Sequence, residues 1–348
     1  MIQASYKKYI LNFKQPSGTS RGILKTKETW FLILKSESRE GIGECGLFRG
    51  LSIDDRVDYE DKLKWVCNNI NLGLEVLLPE LIEFPSIQFG LETAFKSLES
   101  DDVFELFPSK FTQSEAAIPI NGLVWMGDEA FMKQQIKEKI EAGFSCIKMK
   151  IGAIDFQAEV SLLKSIRNEF SSKDIELRVD ANGAFLFEEA LETLKILSDF
   201  DLHSIEQPIK QGQLEKMALL CEQTPLPIAL DEELIGVFNV TKKHELLQTI
   251  KPQYIILKPS LVGGFKGSDE WIELSENQNI SWWITSALES NVGLNAIAQY
   301  TYTKKSKMIQ GLGTGGLFTN NFDSPLQVKN GTLKYNRNTN WNIERIQH

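Results

Sequence analysis

Short apolar runs alternate with helical patterns along most of the chain from about residue 117 onward. Most segments between the runs repeat apolar residues at helical spacing, as in EAFMKQQIKEKIEAG. The runs themselves are continuously apolar, which is typical of strands buried on both faces of a parallel sheet. Eight runs with seven intervening segments predict an α/β protein with a (β/α)7β TIM-like barrel over residues 116–319. The runs are AIPINGLVW, SCIKMKIG, IELRVDAN, HSIEQP, LPIALDEE, YIILKPS, ISWWITS and MIQGLG.

The first 115 residues follow a different pattern. Residues 2–46 have the pattern of strands, interrupted by the turn-rich stretch KQPSGTSRG, whereas residues 53–70 and 85–100 have helical spacing. Strands followed by helices indicate an α+β unit, so we expect residues 1–115 to form an N-terminal α+β capping domain. After the barrel, the stretch PLQVKNGTLKY predicts a hairpin. We expect this tail, residues 320–348, to return and pair with the capping domain.

Bulk properties narrow the classes of function. The chain has 348 residues, of which 42% are hydrophobic and 24% charged, as expected for a globular protein with a large barrel and a smaller domain. A net charge of −9 without a basic stripe argues against a nucleic-acid partner, whereas a local cation still allows a small carboxylate substrate. The four cysteines form no CxxC pair, which favours reduced thiols and a cytoplasmic location. No apolar stretch approaches the roughly 18 residues of a membrane helix, so we expect no membrane partner.

Three acidic residues end successive apolar runs at nearly even intervals. Asp180 in RVDANG, Glu206 in SIEQP and Asp231 in ALDEE are about 25 residues apart, which is the length of one strand, one helix and two loops. We therefore expect the carboxylates at the same end of three neighbouring parallel strands, where barrels keep their chemistry. Hard oxygen ligands without a nearby histidine or cysteine favour Mg2+, with Mn2+ as a substitute, over zinc. The alternative is that each acid caps the helix that follows its strand.

Lysines flank the acidic residues on both sides. Lys148 and Lys150 in CIKMKIG lie two apart on a predicted strand, so their side chains point to the same face. We expect that face to be the inner mouth of the barrel, because two lysines are costly to bury against helices. A metal and a second cation favour the neutral form of a lysine, which is the form a general base requires. Lys258 in YIILKPS is placed to face Lys150 across a substrate; structural ion pairs are the alternative for all three lysines.

A glycine-rich loop, GLGTGG at residues 311–316, follows the last barrel run. Such a loop exposes backbone N–H groups, so Gly313 and Thr314 are candidates for binding a carboxylate or phosphate, although a simple tight turn has the same pattern. Ser286, at the end of ISWWITS, either adds a hydroxyl to this anion site or caps the next helix. Arg21 in QPSGTSRG either closes over the substrate or belongs to a surface loop without that role.

The ordered set KMK, DANG, EQP, DE and a sixth-strand lysine, behind an α+β capping domain, resembles the enolase superfamily in its muconate lactonizing subgroup. The resemblance covers essentially the whole chain. It implies that the three acidic residues above bind one Mg2+, which holds a substrate carboxylate during proton abstraction. It also implies that Lys150 is the base, that Lys148 supports Lys150 electrostatically and that Lys258 is the opposing cation.

Further stretches narrow the resemblance. The seventh-strand run ISWWITS has no histidine, which argues against the mandelate racemase and sugar-acid dehydratase groups. The stretches LKPSLVGG, SALESNVGLNAIAQ and GLGTGGLFTNN resemble the o-succinylbenzoate synthase family. That resemblance implies a lyase of menaquinone biosynthesis, which dehydrates 2-succinyl-6-hydroxy-2,4-cyclohexadiene-1-carboxylate to 2-succinylbenzoate by removing a proton alpha to a carboxylate.

Other functions share this framework. A racemase or epimerase of N-acylamino acids or dipeptides needs a base on each face of the carbon, and Lys150 with Lys258 supplies both. Asp323 is single in the eighth loop, whereas dipeptide epimerases use an Asp-x-Asp pair there to hold a substrate ammonium, so the synthase is favoured. Muconate cycloisomerisation is a weaker third alternative. A non-catalytic binding barrel predicts the loss of at least one ligand or base, and none is lost.

Overall fold

The computed structural model describes residues 1–19 and 22–347. Its strands are β1 (Gln3–Thr19), β2 (Gly22–Lys35), β3 (Glu40–Cys45), β4 (Ala117–Pro119), β5 (Gly122–Val124), β6 (Cys146–Lys150), β7 (Glu176–Asp180), β8 (Ser204–Glu206), β9 (Ile228–Leu230), β10 (Tyr254–Leu257), β11 (Ser281–Ile284), β12 (Leu326–Lys329) and β13 (Thr332–Tyr335). Its α-helices are α1 (Tyr59–Asn69), α2 (Leu74–Leu77), α3 (Pro85–Glu99), α4 (Glu129–Glu141), α5 (Phe156–Glu169), α6 (Phe187–Ser198), α7 (Leu214–Gln223), α8 (Val240–Ile250), α9 (Pro259–Val262), α10 (Gly264–Glu276), α11 (Asn291–Thr303) and α12 (Glu344–Gln347). Short 3-10 helices lie at Ile70–Leu72, Pro79–Leu81, Glu232–Leu234 and Thr314–Gly316.

The parallel sheet is a barrel, as predicted. Strands β5 to β11 lie side by side in chain order, and a helix follows each of them. The eighth predicted run contributes two bridges rather than a full strand: Gln310 pairs with Ile120 before β5, and Gly311 pairs with Thr285 after β11. These bridges join the two open edges of the sheet, so the (β/α)7β fold class is confirmed.

The capping sheet reaches the barrel mouth through its first hairpin. Strands β1, β2 and β3 are antiparallel neighbours; α3 packs against β2 and β3, and α1 packs against β1. The stretch predicted as a turn-rich loop is mostly strand: β1 continues to residue 19, with a register shift between Asn12 and Ser17 that surrounds Pro16. Gly18 bridges Met126, which follows β5, so the hairpin lies against the barrel at its mouth.

The C-terminal hairpin pairs with a different partner from the one expected. Strands β12 and β13 form a hairpin, but β13 pairs with β4, where Leu333 lies opposite Ile118. The run AIPINGLVW therefore contains two strands: β4 belongs to the small sheet with β12 and β13, and β5 belongs to the barrel. The tail contacts the capping unit, residues 1–115, at other places. The side chain of Asn320 donates a hydrogen bond to the backbone oxygen of Ile10, and the ring of Trp341 stacks on that of Phe104 with 4.0 Å between ring centroids. The domain limits at residues 115 and 319 stay predictions.

Gly43 in β3 and Gly90 in α3 allow the backbones of the strand and the helix to lie in direct contact. A Cβ atom added to Gly43 would overlap the backbone oxygen of Gly90. We expect Gly43→Ala to lower the free energy of unfolding by about 3 kcal/mol, because overpacking of a rigid backbone contact forces the helix away from the sheet. Gly316→Ala is the control, since an added Cβ there meets nothing within 4 Å. Urea denaturation of both variants measures the difference, and equal stability of the two would contradict this account of the packing.

Within the described part of the chain, no helix is long and apolar enough to cross a membrane.

Candidate active site

Strand register places Asp180 and Glu206 at one level of the barrel and Asp231 two residues beyond it. Lys150 pairs with Asp180 across β6 and β7, and Asp180 pairs with Glu206 across β7 and β8. Glu206 lies opposite Ala229, and Asp231 follows two residues later at the end of β9. All three carboxylates are buried, with at most 2% of each residue exposed. The equal spacing in the sequence thus becomes a row of buried carboxylates along one rim.

Three lysines hold this row. The Nζ atoms of Lys148 and Lys150 lie 2.9 Å and 2.7 Å from Oδ2 of Asp180, so both side chains enter the mouth as expected from their spacing. Lys148 also forms an ion pair with Glu206. Lys258 donates a hydrogen bond to Asp231 and lies 4.0 Å from Glu206. Lys150 and Lys258 therefore stand at opposite ends of the row.

The charges in this cluster depend strongly on one another. Burial favours the neutral form of Asp180, but Lys148 and Lys150 outweigh it and hold the pKa of this carboxyl below its usual value. Glu206 is the opposite case: burial, followed by the charge of Asp180, raises its pKa well above the usual value despite Lys148. Burial would lower the pKa of Lys258, but Asp231 reverses this and raises it. An additional cation near Glu206 would relieve an unfavourable concentration of negative charge.

The fit of this cluster to a metal rests on its oxygen atoms. Both carboxylate oxygens of Glu206 are buried and make no hydrogen bond of good geometry among the described residues; Lys148 forms an ion pair with one, and Lys258 lies 4.0 Å from the other. Such oxygens, beside those of Asp180 and Asp231, match the preference of Mg2+ for hard ligands. Among the described residues, the three lysines form ion pairs with the carboxylate oxygens. In the same part of the chain, no group of three or more His, Cys, Asp or Glu side chains is arranged to hold a metal. The donor types fit Mg2+, and the ligand assignment stays a prediction.

A cavity of about 650 Å3 opens above the carboxylates. The barrel contributes all three lysines, and the capping unit contributes residues of β1 together with Phe48 and Leu51. Ser286, Gly313 and Thr314 line the same cavity, and the hydroxyls of Ser286 and Thr314 are 2.6 Å apart. The structure thus brings these predicted substrate-binding residues together. Arg21 lies outside the described residues, so its predicted role stays a prediction.

The helix-capping alternatives fit less well. Helix α11 begins at Asn291 and is capped by Ser290, not by Ser286. Asp231 precedes a 3-10 helix but makes no side-chain capping bond to it. Asp180 does accept a hydrogen bond from one backbone N–H group, that of Asn182, at 3.0 Å. Its other oxygen contacts Lys148 and Lys150.

Further polar residues at the rim were missed by the sequence interpretation. Oδ1 of Asn182 accepts a hydrogen bond from Lys150 at 2.6 Å, and its amide nitrogen donates to Glu232 at 3.0 Å. Gln207 is fully buried and donates to Glu233 at 3.0 Å. These residues belong to DANG, EQP and DEE, so their proximity in sequence to the predicted ligands was the available signal. They fix the loops that follow three barrel strands.

A capped parallel barrel with carboxylates and lysines at the carboxyl ends of its strands has the architecture of barrel enzymes, which keep their active sites at that end. Residues 131–339, more than half of the chain, match the family model "Enolase C-terminal domain-like". The chain belongs to this family, the enolase superfamily.

Individual relatives extend the comparison. The chain is 45% identical to an o-succinylbenzoate synthase of Desulfotalea psychrophila strain LSv54, in an alignment that covers 95% of this chain and 98% of that protein. The crystal structure of MenC from Desulfotalea psychrophila LSv54 superposes with a TM-score of 0.85 at 43% identity and covers 96% of this chain and 99% of that one. A dipeptide epimerase from Enterococcus faecalis V583, complexed with Mg and L-Leu-L-Tyr, superposes with a TM-score of 0.83 at 18% identity and covers 95% of this chain and 96% of that one. The last comparison shows a shared fold.

Proposed function

We propose that this protein is an o-succinylbenzoate synthase, a lyase that dehydrates 2-succinyl-6-hydroxy-2,4-cyclohexadiene-1-carboxylate to 2-succinylbenzoate in menaquinone biosynthesis. The observation that carries the proposal is the row of buried carboxylates held between Lys150 and Lys258 under a cavity of about 650 Å3. The 45% identity to the Desulfotalea synthase, over nearly the full length of both chains, supports this substrate. We place the enzyme in the cytoplasm, which the four free cysteines support.

Lys150 would take the proton alpha to the substrate carboxylate, because Lys150 lines the cavity and its Nζ is held by Asp180 and Asn182. The electron pair of the broken C–H bond forms the new ring double bond as the C–O bond breaks. Lys150, now an ammonium, would give its proton to the departing hydroxyl on the same face, and water leaves. Lys258 would face the negative charge from the other end of the carboxylate row. Aromatisation of the ring supplies much of the driving force.

Asp180, Glu206 and Asp231 would hold Mg2+, with Mn2+ as a substitute. This proposal is supported by the donor set: three buried carboxylates lie side by side, and the oxygens of Glu206 are in contact with cations and with no hydrogen-bond donor of good geometry among the described residues. The bound cation would neutralise the carboxylate row and favour negative charge on the substrate carboxylate. Lys148, which contacts both Asp180 and Glu206, would then remain as the cation beside Lys150.

A dipeptide or N-acylamino acid epimerase is the second candidate, since Lys150 and Lys258 also suit two-base chemistry. The residues that line the cavity argue against the dipeptide reaction. Among the described residues that line it, the only carboxylates are Glu138 and Asp180, so the eighth loop supplies no partner for a substrate ammonium. Asp323 instead pairs with Asn342 in a backbone bridge. This arrangement favours a substrate without an ammonium group.

Product analysis tests the proposal. The purified protein with Mg2+ is incubated with the hydroxycyclohexadiene substrate, and proton NMR follows the products. We expect the aromatic signals of 2-succinylbenzoate to replace those of the diene. The same protein is incubated in D2O with N-succinylamino acids and with dipeptides as the comparison. Exchange of their alpha protons without any turnover of the diene would overturn the synthase proposal in favour of an epimerase.

A further inference from the structure

A buried carboxylate of the capping unit accepts hydrogen bonds from the N-terminus of the barrel helix α11. Glu44, near the end of β3, is fully buried and accepts hydrogen bonds from the backbone N–H groups of Ser290 at 2.9 Å and Gly293 at 2.8 Å. Its second oxygen also accepts the hydroxyl of Ser290. The first N–H groups of a helix have no partner within that helix. A residue 246 positions away in the chain therefore completes the start of α11.

A second buried carboxylate ties the neighbouring loop to α9. Glu289 is fully buried; one of its oxygens accepts the backbone N–H of Ala287 at 2.7 Å and the other accepts the hydroxyl of Ser260. Ala287 follows Ser286 in the cavity wall, and Ser260 follows Lys258 by two residues. The hydrogen bonds of Glu289 thus join the loops that carry Ser286 and Lys258.

These contacts are tightly packed. A Cβ atom added to Gly293 would lie 2.8 Å from Cβ of Glu289 and 2.9 Å from Oε2 of Glu44. An added Cβ at Gly46 would lie 3.0 Å from Cγ of Glu289. Lys27 is buried nearby, with no hydrogen-bond partner for its Nζ among the described residues; burial lowers its pKa, and the charges of Glu44 and Glu289 act in the opposite direction. The network therefore has little room to rearrange.

We propose that Glu44 and Glu289 are positioning residues that fix the loop of residues 285–290 against the cavity and so set the affinity for substrate through Ser286. Glu44 acts from the capping unit, and Glu289 acts within the loop itself. Neither glutamate lines the cavity. Their effect on substrate passes through the backbone of Ser290, Gly293 and Ala287. The inference rests on the proposed function only for the identity of the substrate.

The test compares two buried glutamates of the capping unit. In Glu44→Gln, one amide oxygen replaces two acceptors, so at least one helix donor loses its partner. We expect KM for the diene to rise about tenfold, with kcat within about threefold of wild type, as for the loss of a hydrogen bond to a charged group. The matched control is Glu92→Gln: Glu92 accepts N–H groups of Phe265 and Lys266 at the start of α10, and neither residue lines the cavity. We expect its KM to stay at the wild-type value.

Hydrogen–deuterium exchange over residues 286–293 gives a readout that does not depend on turnover. We expect faster exchange there in Glu44→Gln than in wild type or Glu92→Gln. If Glu44→Gln does not fold, Glu289→Ala carries the same expectation, and Glu289→Gln should restore KM because its amide can still accept from Ala287 and bond Ser260. Equal KM changes in the Glu44 and Glu92 variants, or unchanged exchange, would overturn the proposal. A wild-type protein without diene turnover would instead refute the proposed function, and the exchange result would still test the positioning role.

Discussion

Lys150→Ala is expected to lower kcat by about 10³-fold or more, the contribution of a well-placed general base. We propose this role for Lys150 because it lines the cavity and its Nζ is held by Asp180 and Asn182. Since Lys150 contributes no oxygen ligand, Mg2+ binding should remain nearly intact. Initial rates measured by diene absorbance, together with calorimetric titration of Mg2+, check both parts of this prediction.

Lys150→Arg is the matched variant, because it keeps a positive charge beside Asp180 but cannot act as a neutral base at ordinary pH. We expect it to be as inactive as Lys150→Ala. Retained turnover in either variant would remove Lys150 from the base role. A loss of Mg2+ binding in Lys150→Arg would show that the side chain supports the carboxylates instead of the chemistry.

Glu206→Gln should have opposite effects on the metal-free and the metal-bound protein. Burial, followed by the charge of Asp180, raises the pKa of Glu206, so the ionised carboxylate is disfavoured in the metal-free fold. The stability of the metal-free wild type should therefore fall as pH rises from the usual glutamate value towards the raised one. The neutral amide lacks this slope, and we expect a higher Tm for the metal-free variant than for metal-free wild type at pH 8.

Magnesium should reverse that order. At a concentration one hundred times Kd, Mg2+ stabilises a protein by about 2.7 kcal/mol, so wild-type Tm should rise on its addition. Glu206→Gln should lose most of this rise and all activity. Glu233→Gln is the control, because Glu233 is also buried at the rim but bonds to Gln207 and Gly212. A full Mg2+ shift in the Glu206 variant would refute its assignment as a ligand.

The barrel and the position of its carboxylates were predictable from sequence for a physical reason. A parallel strand, its helix and two loops repeat with a nearly constant length, so equal spacing of Asp180, Glu206 and Asp231 predicts equal height in the barrel. The observed register places Asp180 opposite Glu206, as this reasoning predicts, whereas Asp231 lies two residues beyond the partner of Glu206. The alternation of side chains along a strand likewise predicted that Lys148 and Lys150 share a face.

Contacts between distant parts of the chain were not predictable in this way. The pairing of β13 with β4 depends on how the tail crosses the barrel, and no local pattern specifies it. The capping of α11 by Glu44 is similar, because the glutamate and the helix are far apart in sequence. The stretch KQPSGTSRG has turn-forming residues, but β1 continues through it to Thr19, and Ser17 and Gly18 pair with β2. Tertiary contacts outweigh local propensity at these places.

The most direct test of the central claim is an ultraviolet progress curve of the purified protein with Mg2+ and the hydroxycyclohexadiene substrate. We expect rapid loss of the diene absorbance, which stops on addition of EDTA and resumes when Mg2+ is restored in excess. Loss of absorbance that continues unchanged in EDTA would contradict the metal-dependent mechanism. A diene that stays intact under all three conditions would contradict the synthase function itself.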